Sequence, residues 1–352
     1  MKMRPRLPII LGTAALIATS MLWSATGPRT ADGHPDFSGT YDIATLTPLA
    51  RPANVGDRAS LTEAEAKALA AQTAVYMAKR NAASDPNRQA PPAGGDGSEG
   101  AAGNVGGYNA LWIDNGTGAF KIDGSYRTSI IIDPPNGRLP QMTADAMKRA
   151  GERGRQNRPN RGDAWWITEN VSPGPYDDPE LRSTAERCLL GFGSSAGPPA
   201  LPVLYNNLKQ IVQGKDTVMI QNEMVHDTRL VRMNSKHEPP EVRRWLGDSI
   251  GHWEGDTLVV DTTNFNDRPG LFGASRSLHV IEKFSRMDDQ TLLYRFTVED
   301  PSIWTKPWTG EYVWPATESR IYEYACHEGN YSFANILRGA RILELDALKE
   351  KK

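Results

Sequence analysis

The chain has 352 residues, 39% of them apolar and 23% charged, with a formal net charge of −2. These are ordinary values for a soluble globular protein, and the near-zero balance excludes a global electrostatic case for nucleic acid or anionic lipid as partner. The length permits one large core, including an all-β unit of about 200–250 residues with additions.

The first 25 residues stand apart. Lys2, Arg4 and Arg6 precede an uncharged run over 7–25, the layout of a secretory signal. A cut after Ala25 would put Trp23 at the −3 position, where signals carry a small residue. An uncleaved membrane anchor is therefore the alternative. No cysteine lies near the end of the run, which excludes a lipoprotein. A periplasmic or secreted location is expected, with membrane contact only through 1–25 if that segment is retained.

Residues 37–43 read as a short strand. Ser60 and Glu63 fit a capping box, and the Ala-, Glu- and Lys-rich stretch 61–80 predicts a helix. Residues 81–107, rich in Ala, Gly, Pro and Asn without apolar periodicity, predict a flexible insertion. A β-branched run over 128–132 ends in the turn-forming sequence Asp133-Pro-Pro-Asn-Gly137, and 143–158 predicts a second, basic helix.

From Cys188 onward strands follow one another at short intervals. Residues 210–213 and 217–224 flank Gly214-Lys-Asp216, 252–253 and 257–263 flank Glu254-Gly-Asp256, and 279–286 and 291–298 flank Met287-Asp-Asp-Gln290. Each pair predicts a hairpin. Residues 312–314 and 320–325 predict two further strands, and 335–352 a closing helix. The short spacings leave no room for βαβ crossovers. The expected fold is mainly β: an antiparallel up-and-down meander closed into a lipocalin-like barrel, with a few peripheral helices. Residues 26–352 are expected to form one domain, with two domains as the alternative.

Cys188 and Cys326 are the two cysteines. Behind an export signal they read as a disulfide, worth about 4–5 kcal/mol in the chain-entropy picture; two unrelated buried thiols are the alternative. Their number and the scattered histidines miss the spacing of a structural zinc site, and no metal or cofactor is expected.

Four segments carry more histidine, carboxylate and aromatic residues than strands require. In Asn222-Glu-Met-Val-His226-Asp-Thr-Arg229, strict alternation would set Glu223, Asp227 and Arg229 on one face and His226 on the other. A bend near Val225 would bring Glu223 and His226 together as an acid–base pair. An Asp227–Arg229 surface pair with a wall histidine is the alternative. In Gly251-His252-Trp-Glu-Gly-Asp256, His252 and Glu254 share a face, although turn chemistry accounts for most of the motif. In 323–331, Cys326 would hold His327 in place, while the adjacent Glu328 points away from it on a strand. Trp304 and Trp308, with Tyr205 and Asn206, are candidates for a ligand mouth, against the alternative of tryptophans packed beneath a barrel rim. No nucleophile elbow, phosphate loop, dinucleotide fingerprint or zinc-protease motif is present in the sequence.

The run Asn222-Glu-Met-Val-His-Asp, the segments Trp245-Leu-Gly-Asp-Ser, Gly251-His-Trp-Glu-Gly-Asp-Thr-Leu-Val-Val-Asp-Thr-Thr-Asn-Phe265 and Phe296-Thr-Val-Glu-Asp-Pro301, and Tyr324-Ala-Cys-His-Glu-Gly-Asn-Tyr331 resemble a family of exported bacterial proteins. The resemblance covers 108–340. It implies a shared secreted β-fold, lipocalin-like, and assigns no catalytic role.

The expected protein is thus an exported β-barrel that receives a small organic molecule. His226 and Glu223 lead as acid–base residues, with His327 second. Tyr205, Asn206, Trp304, Trp308 and His252 are the ligand-binding candidates. A cofactor-free lyase, isomerase or hydrolase, a periplasmic carrier and a structural envelope protein are the three functions it could serve.

Overall fold

A computed structural model describes residues 27–82, 87, 89, 113–156, 158, 162–192, 194–195, 197–271 and 273–350. The expected signal at 1–25 and nearly all of the expected insertion at 81–107 lie outside them.

The described elements run β1 (Gly39–Asp42), β2 (Ser60–Leu61), α1 (Glu63–Arg80), β3 (Lys121–Ile122), β4 (Ser125–Arg127), β5 (Ile131–Asp133), α2 (Ala144–Gln156) and α3 (Trp165–Thr168). Then come β6 (Leu208–Gln213), β7 (Thr217–Asn222), β8 (Thr228–Met233), β9 (Asp248–Glu254), β10 (Thr257–Thr263), β11 (His279–Arg286), β12 (Thr291–Glu299), β13 (Trp308–Pro315) and α4 (Tyr331–Glu350). Helix α1 is capped two residues later than the sequence suggested. Thr62 and Glu65 form the reciprocal box, because Ser60 and Leu61 are taken into β2 beside β4. The strand expected at 320–325 is absent, and the stretch runs outside any ladder.

Ten strands make one sheet in the order β1-β6-β7-β8-β9-β10-β11-β12-β13-β5. All three expected hairpins are present. The expectation of a wholly antiparallel meander needs correction, since β8 and β9 are parallel. A parallel neighbour requires the chain to travel back along the strand before pairing, and the connection 234–247 does this. It re-enters the sheet through Gly247, at φ 72°, where a Cβ would lie 2.6 Å from the Thr263 carbonyl oxygen.

The sheet curls into a half-barrel. Its flanks meet at an isolated bridge between Tyr41 and Ala316, and the Thr317 N–H donates to the Thr40 carbonyl at 2.9 Å. A closed lipocalin-like ladder does not form among the described residues. Part of the free edge of β13 is occupied by β5, which pairs with Thr309 and Gly310.

The concave face is filled with rings. Tyr294 lies at its centre, with Trp314 at 4.8 Å, Phe284 at 4.9 Å, Phe296 at 5.4 Å and Tyr312 at 5.5 Å. All are fully or almost fully buried, in the tilted and edge-on contacts aromatic rings prefer. Arg229 and Glu282 are buried on the same face as a bidentate pair, both bonds 2.5 Å, and the Tyr294 hydroxyl donates to Glu282 at 2.7 Å. Outside the sheet, α4 packs against α3 through Ala340, Trp165, Trp166 and Tyr176. A disulfide joins Cys188 to Cys326. Among the described residues no helix is long and apolar enough to cross a membrane.

Removing one member of a buried ion pair leaves the other charge uncompensated, at a cost of about 3–5 kcal/mol. Arg229→Leu is therefore expected to lower the urea midpoint sharply. The double substitution Arg229→Leu with Glu282→Leu should recover most of the loss. Equal destabilisation by the single and double variants would remove the pair from this role.

Candidate functional site

Three segments meet at the end of β7. The first is the turn from Asn222 to Asp227. Here the alternation of the strand breaks: Val225 and His226 take left-handed backbone angles, φ 59° and 52°. A β-branched residue rarely adopts that conformation. The bend is held by Asn222, whose main-chain N–H and side-chain amide both donate to the Asp227 carbonyl, at 2.8 and 2.9 Å.

The second segment is the stretch after β13. The Tyr322 N–H donates to Glu223 Oε1 at 3.4 Å and the Tyr324 N–H to His226 Nε2 at 2.7 Å. Glu223 and His226 are thus brought to one strip of chain, as the bend in the sequence suggested. Because His226 Nε2 accepts, the neutral ring carries its proton on Nδ1. The ring is exposed and Glu223 is buried.

The third segment begins at Cys188, tied to the second by the disulfide with Cys326. The Gly191 N–H donates to Asp227 Oδ2 at 2.9 Å. A side chain at Gly191 would meet Ser195 Oγ at 2.1 Å and Met224 Sδ at 3.0 Å, so the approach needs glycine. The Ser195 carbonyl accepts from Lys209 Nζ at 2.8 Å.

Lys209 and Asp227 are the most unusual groups here. Lys209 is fully buried, and loss of water pulls its ammonium down to about 7 despite the attraction of Asp227 and Glu223. Burial pushes the Asp227 carboxyl up to about 6, opposed chiefly by the Gly191 N–H and the Lys209 charge. Around neutral pH the pair can hold or release a proton within the same narrow range. Asp227, His226, Arg244 and Trp245 line a cleft of about 630 Å³, a size suited to a small molecule.

The other sequence candidates sit elsewhere. His327 is exposed, one residue beyond the disulfide, and its carbonyl accepts from the Asn330 N–H at 3.2 Å. Trp304 and Trp308 are 7% and 1% exposed, stacked edge-on at 5.8 Å, and belong to the aromatic core. Tyr205 packs on Phe192 at 5.1 Å in the loop before β6, next to Asn206 at φ 55°. His252 lies on β9 near its hairpin, 3.4 Å from Glu254, which also pairs with Lys283. The Asp227–Arg229 surface pair is not formed: Arg229 turns inward to Glu282, and Asp227 takes the Gly191 N–H.

Lys209 and Asp227 were not selected as a pair from sequence, although one signal was legible. Lys209 shares its strand phase with the inward-facing Ile211 and therefore had to be buried. A second cluster had no local signal at all. Asp248 accepts from Arg232, Arg244, His237 Nδ1 and the Glu238 N–H. His237 Nε2 lies 3.4 Å from Asp261, and His279 bridges Asp261 at 2.9 Å and Glu299 at 3.3 Å. Among the described residues no group of three His, Cys, Asp or Glu side chains is arranged to hold a metal ion.

His279 is raised above its ordinary value, chiefly by its hydrogen bond to Asp261, and Glu299 adds to this. Its stabilising contribution is therefore full below the unfolded value of about 6.5 and lost as pH rises through the higher folded value. Relative to His279→Gln, the native chain is expected to lose about 1–3 °C of thermal midpoint between about pH 6 and 8. Parallel curves for the two proteins would refute the assignment. Comparison with known proteins adds no assignment, since no family model, curated protein or solved structure matches the chain.

Proposed function

We propose that this chain acts on a small organic molecule outside the cytoplasm by cofactor-free proton transfer, as a lyase, isomerase or hydrolase. The observation that carries the reading is a fully buried lysine, held on the Ser195 carbonyl, close enough to a carboxyl at the wall of a cleft for each to feel the other's charge, with burial moving both towards neutrality. Structural ion pairs are normally displaced the other way, each partner favouring the other's charge. A group that must take and return a proton works best with a value near the working pH.

Asp227 is the catalytic candidate, because it faces the cleft and can exchange a proton with a bound molecule. Lys209 lies behind it and acts as a positioning residue, setting how readily Asp227 ionises. His226 stands beside Asp227, and its Nδ1–H, which has no partner among the described residues, can donate to a polar group of the substrate. The disulfide is in keeping with an exported protein, and the apolar run at 7–25 supports the same compartment.

A carrier without catalysis is the second reading, favoured by one observation. The side-chain acceptors of Glu223 and His226 are both engaged by main-chain donors, which suits a structural clasp as well as an acid–base pair.

Two measurements test the proposal. Carbon-detected NMR of the native chain should show Asp227 titrating near 6, and Lys209→Met should move it higher by removing a favourable charge. Incubation in D2O with pooled small carbonyl compounds and carboxylic acids should give solvent exchange at activated C–H positions. Asp227→Asn should reduce that exchange by about 100-fold or more. An Asp227 that titrates near 4, or exchange indifferent to Asp227→Asn, would sink the reading.

A further inference from the structure

The same cleft carries a recognition element at the end away from Asp227. Three arginines line it, and they differ in how far their donors are used. Arg229 is consumed by Glu282. Arg232 gives Nη2 to both oxygens of Asp248 and lies 3.4 Å from Glu238. Arg244 spends one nitrogen, Nη1, on Asp248 at 3.1 Å. Its side chain is 53% exposed, and Nε and Nη2 have no partner among the described residues.

Asp248 cannot neutralise Arg244 alone. It is almost fully buried and also serves Arg232, His237 and the Glu238 N–H. Its role towards Arg244 is to tether the guanidinium at the cleft through Nη1. A guanidinium tethered through one nitrogen, with its Nε–Nη2 edge free, presents the fork that takes a carboxylate in two parallel hydrogen bonds.

The neighbouring residue, Trp245, lines the cleft half-buried and stacks on no ring among the described residues. Leu189, Leu190 and Leu246 also line the cleft and add to its apolar surface. A flat apolar body with an acid at one end would match this sequence of surfaces.

We propose that the cleft binds small aromatic carboxylic acids, with the carboxylate on Arg244 and the ring against Trp245. This rests on the cleft identified above as the site of proton transfer and names the class of molecule it receives. The ring end is then directed towards Asp227 and His226.

The test uses matched probes that differ in charge alone. Benzoate, 3-phenylpropionate and 2-naphthoate are titrated calorimetrically into the full chain beside their primary amides. At least one acid should bind about tenfold or more tightly than its amide, the margin of a charge-assisted hydrogen bond. Arg244→Gln should abolish that margin while leaving amide binding unchanged, and Arg244→Lys should keep part of it. Trp245→Ala should weaken acid and amide alike, with Trp245→Phe closer to the native protein. Circular dichroism of each variant establishes that it is folded.

Amides that bind as well as the acids, acid binding indifferent to Arg244→Gln, or no binding by any probe would overturn the proposal. Its failure is separable from that of the proton-transfer reading. Asp227→Asn should leave acid binding intact while exchange is lost. Carboxylates that bind in this manner without any exchange would refute the catalysis and keep the ligand class. Exchange confined to uncharged carbonyl compounds would do the opposite.

Discussion

A full positive charge and a full negative charge sit together inside an aromatic core, and the rest of the molecule is arranged around that fact. Arg229 and Glu282 come from strands separated by two others in the sheet, so their pairing draws β8 and β11 together across the concave face. Glu282 also accepts from Tyr294, and the Tyr294 hydroxyl in turn accepts the Ala200 N–H at 3.0 Å. Tyr312 donates to the Ala200 carbonyl at 2.8 Å. The loop that supplies Leu189 and Leu190 to the cleft, and the Gly191 N–H to Asp227, is thereby fastened to the core through the ion pair. Burial drives both tyrosines well above their ordinary range, so they remain neutral hydrogen-bonding groups.

With rings and an ion pair filling the concave face, the groups proposed to react lie at its rim. There β7 ends, the chain bends through Val225 and His226, and Asp227 emerges two residues before Arg229 enters the core. The cleft is walled by the returning connection 234–247. The parallel pairing of β8 and β9 therefore matters to the site. An antiparallel hairpin at this point would have had no long connection to build a wall and no Arg244 or Trp245 to place in it.

Much of the architecture was legible in the sequence because it is local. Alternation and turn residues located β6, β7, β9, β10, β11 and β12 to within two residues, apart from the start of β9, which lies at Asp248 rather than at residue 252. The parallel step was hidden, since strand direction depends on where a connection lands and not on its composition. The approach of Glu223 and His226 to one strip of chain was legible only as the bend near Val225 that a turn from β7 into β8 requires. Lys209 and Glu282 were legible in principle, because each shares its phase with apolar neighbours, Ile211 for one and Val280 and Phe284 for the other. Which charge each would meet was not. The chain of Asp248, His237, Asp261, His279 and Glu299 is assembled by sheet order alone. The tryptophans at 304 and 308 show the converse limit: composition marks an aromatic segment without saying whether it faces water or the core.

The clasp on Glu223 and His226 is made from peptide groups rather than side chains. Any amino acid with an N–H at positions 322 and 324 supplies the same donors, so these contacts are blind to side-chain replacement, and an alanine scan would pass over them. Proline alone deletes a donor outright. The segment is free to diversify its outward surface while its inward grip stays constant, and its evolution would leave little trace of the constraint except the avoidance of one residue.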